Sequence, residues 1–205
     1  KDQPEGYDAL RELFPKPDIL SAKRVLCVQP HPDDADIACG GTIARLAAQG
    51  TEVFYLTVTD DTAGFSEAGL SLRRRRRIRR EEQTEAGRIL GVRGFFWLDF
   101  RDAGPWDIRK ARNRIIAVIR EVRPDFLLTV DPWLRHEAHR DHVKAGLAAC
   151  EAAILCDLPY IAGGGRSLLG GPVDLSGVGL FLTAEPDTFV DYSGYQELKY
   201  RAISA

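Results

Sequence analysis

A chain of 205 residues, 44% hydrophobic and 28% charged, has an ordinary globular composition and enough apolar residues for a core. Its formal net charge of -2 gives no general attraction to nucleic acid or to an anionic membrane surface. No apolar run reaches the length of a membrane-spanning helix and no signal peptide is visible, so the expected location is the cytoplasm.

Apolar strand-like runs alternate with helical stretches, the pattern of repeated βα units and a mostly parallel sheet. The chain opens on Lys1 rather than Met, as expected of a trimmed amino terminus. Residues 24–29 read as a first strand and 36–49 as an Ala-rich helix stopped by Gly50. A second strand is predicted over 51–59, then a polar, Gly-containing loop over 60–72. The long helix predicted over 72–90 ends at Gly91. Ile78, Glu82, Ala86 and Ile89 share one face of it, which turns Glu82 inward or toward a site edge. A strand over 95–99, a helix over 107–122 stopped by Pro124, a strand over 125–130 and a helix over 140–156 follow. Residues 158–174 are rich in Gly and Pro and read as a long loop; 179–183 and 188–192 read as later strands, and 196–203 as a helix. With no internal repeat and no linker, residues 1–205 are expected to form one α/β domain. The four cysteines (Cys27, Cys39, Cys150, Cys156) lack Cys-x-x-Cys spacing and read as buried free thiols in a reducing compartment.

All four histidines, His31, His136, His139 and His142, fall in two loops that follow predicted strands. Pro30-His31-Pro32-Asp33-Asp34 follows the apolar run 25–28, and His139-Arg140-Asp141-His142 follows the run 126–130. Taken alone, the first reads as a turn whose Asp caps the next helix, and the second as a surface helix start. Together, at the carboxyl ends of two strands, they are what a catalytic metal site on an open α/β sheet requires. Catalytic zinc is usually held by three protein groups. His31 and Asp34 can reach one ion from a single loop because Pro32 keeps His31 out of helical geometry, and His142 completes the set. Asp33 stands beside a ligand without needing to be one, which suits a general base. His139, one turn before His142, is placed to stabilise an oxyanion or protonate a leaving amine. Asp141 is placed to orient one of the histidines, whereas His136 reads as loop or cleft rather than ligand.

Two other features have bland readings. The arginine run 73–77, with Arg79 and Arg80, lacks interleaved aromatics. It reads as a solvated helix face paired with Glu81, Glu82 and Glu85, one arginine of which enters the cleft, rather than as a nucleic-acid interface. Gly40-Gly41-Thr42 lacks the spacing of a nucleotide-binding loop and reads as small residues for close helix–sheet packing.

The run 29–36 followed by Gly40-Gly41-Thr42, then Arg79-Arg80-Glu81-Glu82 leading to Ile89-Leu90-Gly91-Val92, then His139-Arg140-Asp141-His142, forms an ordered set spanning most of the chain. This set resembles the zinc-dependent N-deacetylase family of PIG-L and LmbE type. Trp97-Leu98-Asp99 and Asp131-Pro132-Trp133-Leu134 with Glu137-Ala138-His139 are most similar to its diacetylchitobiose deacetylase branch. The resemblance implies a Rossmann-like three-layer α/β sandwich without a nucleotide, and one Zn2+ per chain on His31, Asp34 and His142. It also implies Asp33 as general base, His139 stabilising the tetrahedral intermediate, and Arg79 binding substrate. The chitobiose branch forms hexamers, so a homo-oligomer is implied. Ala35 stands where much of the wider family has Glu, a departure the branch shares. Relatives continue beyond the position of Ala205 into a His-x-Ser-Gln segment, so that tail is expected to be missing from this chain. The expected reaction is hydrolysis of the N-acetyl group of an N-acetylglucosamine-containing sugar, with Asp102, Trp133 and His136 as candidate sugar contacts. A thiol-glycoside precursor, lipid-linked sugar or antibiotic intermediate as substrate is the second reading. A noncatalytic sugar- or nucleotide-binding module is the third.

Overall fold

The computed structural model of the protein describes residues 15–161 and 171–205. Among these residues, five strands form one sheet: β1 (Arg24–Gln29), β2 (Glu52–Thr59), β3 (Gly94–Phe100), β4 (Phe126–Val130) and β5 (Gly177–Phe181). They lie in the order β3-β2-β1-β4-β5, and every pair is parallel. Central strands β1 and β4 are continuous apolar runs because both of their faces are covered.

Among the described residues, five α-helices cover the sheet: α1 (Asp34–Ala48), α2 (Leu72–Leu90), α3 (Ile108–Val122), α4 (Arg140–Leu155) and α5 (Gln196–Ile203). Alternation along β1 divides the core between the faces. Leu26 and Val28 join α3 and α4 residues such as Ile115, Ile119 and Ala149. Val25 and Cys27 join α1, α2 and α5 through Ile43, Leu46, Leu90 and Ala202. The three-layer α/β expectation therefore holds.

Sheet order places β1, whose chain turns back toward β2, beside β4, whose chain goes on to β5. Val28 stands opposite Thr129, so these two strands end level. This is the switch point of a doubly wound sheet, where the loops diverge and leave a crevice. The loop after β1 carries His31, and the loop after β4 carries His139. Gly146 seats α4 on the end of β4, since a Cβ there would stand 2.6 Å from the Val130 carbonyl oxygen. That close approach brings His142, one turn earlier, to the crevice.

Several expectations need correction. The first helix begins at Asp34 rather than at 36, so the run of aspartates opens the helix itself. On α2 the buried face is Gln83, Ala86, Gly87 and Leu90, and Glu82 lies half-exposed beside it. β5 spans Gly177–Phe181, two residues earlier than expected, and residues 188–192 form no strand. Gly41 does not meet the sheet; a Cβ there would stand 2.2 Å from the Tyr192 ring, which packs on α1. Most of the predicted long loop over 158–174, residues 162–170, lies outside the described residues.

Candidate active site

After β1 the chain turns through residues 30–33 into α1. Asp33 occupies the N-cap position with φ 108°, in the left-handed region, and its side chain makes no capping hydrogen bond. A non-glycine residue is strained there and persists only where its surroundings hold it. What holds it is Gln83, buried on α2, whose Oε1 accepts the Asp33 N–H at 3.0 Å and a Gln29 Nε2–H at 2.5 Å. Gln83 Nε2 in turn donates to Asp36 Oδ2 at 2.9 Å, and the Tyr55 hydroxyl donates to Asp36 Oδ1 at 2.7 Å. Gln29 Oε1 accepts the Ala35 N–H at 3.0 Å. This fully buried network clamps the start of α1 and leaves the Asp33 carboxylate facing the crevice. Burial pushes that carboxyl up to about 6, with Asp34 adding to the rise and Arg79 opposing it.

Asp34 joins the two loops. Its Oδ2 accepts the His31 backbone N–H at 2.8 Å and lies 3.2 Å from His31 Nδ1, while Oδ1 lies 3.4 Å from His142 Nε2. Burial works against its charge, but the His31 contacts outweigh burial and hold the carboxyl below its ordinary value. The other face of the His31 ring meets carboxylates too. Nε2 lies 3.4 Å from Asp102 Oδ1 and 3.8 Å from Asp141 Oδ2, yet it is buried without an aligned hydrogen bond. Asp141 is fixed by the Ala103 N–H at 2.8 Å and by Trp106 Nε1 at 2.9 Å. Burial opposes protonation of His31, but Asp141 and Asp34 overcome it and raise its pKa to about 10.

The second loop supplies the remaining imidazoles. The rings of His139 and His142 stack with centroids 4.8 Å apart, and His139 stands 4.7 Å from His31. Ring nitrogens of His31, His139 and His142 all lie within 4.8 Å of one another, as do ligand atoms of His31, Asp102 and Asp141. His139 is exposed while His31 is buried. His31 Nδ1 and His142 Nε2, turned toward the two oxygens of the Asp34 carboxylate, make a donor set that fits a divalent cation. Imidazole and carboxylate donors together suit zinc.

One wall of the crevice is Arg79, with Asp61 below it. Arg79 Nε lies 2.8 Å from Asp61 Oδ2, Nη1 lies 2.9 Å from Glu82 Oε2, and its guanidinium covers the Phe65 ring at 4.9 Å. Asp61 is pushed up to about 6 by burial, against the pull of Arg79. His31, Asp33, Asp61, Arg79, Asp102 and His139 line one cleft. Trp133, 65% exposed, and His136, with φ 70°, stand on the outer part of the second loop, outside that lining. The neighbouring arginines are paired as a helix face: Arg77 with Glu81, and Arg76 and Arg80 with Asp60 and Asp99, acids beyond the helix itself.

Asp61, Gln83 and Glu137 belong to this arrangement and are not apparent as site residues in the sequence. Asp61 carried a usable signal, since it follows the carboxyl end of β2 just as His31 follows that of β1. Gln83 carried none, being one polar residue among many on a charged helix.

Residues 26–153 match the family model described as PIG-L: GlcNAc-PI de-N-acetylase. The chain is 40% identical over 184 residues to the diacetylchitobiose deacetylase of Thermococcus kodakarensis, covering 88% of this chain and 68% of that protein. It is 35% identical over 167 residues to the 1D-myo-inositol 2-acetamido-2-deoxy-alpha-D-glucopyranoside deacetylase of Rhodococcus erythropolis, covering 68% of this chain and 56% of the relative. The N,N'-diacetylchitobiose deacetylase from Pyrococcus horikoshii superposes with a TM-score of 0.86 at 34% identity, covering 99% of this chain and 79% of that one.

Proposed function

Because the chain belongs to the PIG-L family of de-N-acetylases, we propose that it hydrolyses the N-acetyl group of N-acetylglucosamine in a short chitin oligosaccharide such as diacetylchitobiose. The products are acetate and a free sugar amine. His31, Asp34 and His142 would hold one zinc ion per chain; Asp34 reaches toward both imidazoles. When bound, zinc supplies Lewis acidity that acidifies water and polarises a carbonyl.

The chain's own residues do the rest. Asp33, free of any capping bond, takes the proton of the attacking water as its oxygen bonds to the acetyl carbon. His139, exposed at the cleft wall, donates a hydrogen bond to the developing oxyanion. The C–N bond then breaks as the proton is returned to nitrogen from Asp33 or His139. Arg79, clamped by Asp61 and Glu82, orients the sugar. Asp141 and Asp102 fix the His31 ring, and Asp102 also faces the cleft. Trp133 and His136, on the outer loop, would meet a second sugar unit.

The observation that carries this reading is the meeting of His31, Asp34 and His142 beside an uncapped Asp33 at the switch point of the sheet. It is tested by measuring acetate release from diacetylchitobiose, with and without a chelator and after zinc is restored. No acetate from the metal-replete protein sinks the reading. Inositol-linked N-acetylglucosamine belongs in the same assay, because the Rhodococcus relative acts on that class. We further infer one domain over residues 1–205, a cytoplasmic location in keeping with four free cysteines, and hexameric assembly as in the chitobiose branch. Among the described residues, no helix is long and apolar enough to cross a membrane.

A further inference from the structure

Glu137, in the loop between β4 and α4, has both carboxylate oxygens engaged at the crevice. Oε1 accepts the backbone N–H of His139 at 2.6 Å, and Oε2 lies 3.0 Å from His142 Nδ1. We propose that Glu137 is a positioning residue that locks His142 in the tautomer and orientation presenting its Nε2 lone pair to the metal. The inference rests on the metal reading above and deepens it.

A neutral imidazole carries one N–H and one lone pair, and its partner on one nitrogen decides which form is present. An ionised carboxylate only accepts, so the ring hydrogen must sit on Nδ1. The lone pair is then on Nε2, the nitrogen that lies 3.4 Å from Asp34 Oδ1. The backbone is shaped for this contact. His136, just before Glu137, has φ 70°, and the Glu137 N–H closes a turn on the Leu134 carbonyl at 3.1 Å. That reversal aims a side chain from the loop back at the first turn of α4.

A second role for Glu137 is capping alone, since it satisfies the amide of His139, the N-cap residue of α4. Glu137→Gln separates the two. Glutamine can still accept the His139 amide, but its NH2 group then faces His142 and demands the opposite tautomer. Zinc affinity, measured by competition with a chromophoric chelator, should fall roughly 10–100-fold in Glu137→Gln and Glu137→Ala. Circular dichroism melts of the metal-free proteins report on folding. In the metal-free parent, 15N NMR of the histidine rings should show His142 with its hydrogen on Nδ1, moving to Nε2 in Glu137→Gln. Unchanged zinc affinity in Glu137→Gln, or a parent His142 protonated on Nε2 alone, overturns the proposal. A parent that binds no zinc overturns the metal reading instead, and the NMR measurement still decides the role of Glu137.

Discussion

Asp33 combines a strained backbone, a carboxyl raised above its ordinary value and no side-chain capping bond, and the three together suit a base. Asp33→Ala should keep zinc and lower kcat/KM by roughly 10²–10⁴-fold, checked by metal analysis alongside acetate kinetics. A base acts only when deprotonated, so activity should rise with pH through the ionisation of Asp33, whose carboxyl burial pushes up to about 6. Arg79 pulls that value down. Arg79→Ala should therefore move the acid limb of the kcat/KM profile to higher pH, in addition to weakening substrate binding. A limb that stays put or moves the other way would exclude Asp33 as the group titrating there.

At the scale of elements, the site depends on two seams. One is the α2–β1–α1 seam built on Gln83. Gln83→Leu leaves the Asp33 N–H and a carboxylate oxygen of Asp36 without partners, at about 1–3 kcal/mol each, which denaturant unfolding would measure. The other is the α4–β4 seam at Gly146. Gly146→Ala should cost about 1–3 kcal/mol and weaken zinc binding, because the helix carrying His142 must move off the Val130 carbonyl. Much of this was legible in the sequence. The apolar runs at 25–28 and 126–130, the glycine stop at Gly91 and the two histidine loops fix the strand ends and what they carry. What escaped has physical causes. Gly177 looks unlike a strand residue, yet it pairs with Phe126 of β4, whose ring occupies the space a Cβ would need. Residues 188–192 alternate like a strand, yet Phe189 is 83% exposed and the segment is an arm held on α1 by Arg45 and by Tyr192 over Gly41. On α2 the arginine stems blur the apolar stripe, so the face predicted through Glu82 lies one residue off the buried one and gives no sign of Gln83.

For the molecule as a whole, a cation joins carboxylates that otherwise repel one another and pair with protonated imidazole. Zinc at a hundredfold excess over its dissociation constant should stabilise the fold by about 2.7 kcal/mol, raising Tm by roughly 5–10 °C. In the stripped protein, His31 has a pKa of about 10 against 6.5 when unfolded. Its contribution to stability is complete below pH 6.5 and fades as pH rises toward 10. Zinc must displace that proton, so the Tm gap between loaded and stripped protein should widen from about pH 6.5 to 8.5; a gap that narrows contradicts this. The pairing of β1 with β4 has a temporal corollary. Those strands enclose roughly a hundred residues of intervening chain, and partners so distant along a chain meet slowly. A nascent polypeptide that has not yet emerged past His142 cannot grip the ion, whatever the zinc concentration around the ribosome. Metal capture should therefore follow domain closure, so that zinc slows unfolding in stopped-flow experiments while leaving the refolding rate unchanged.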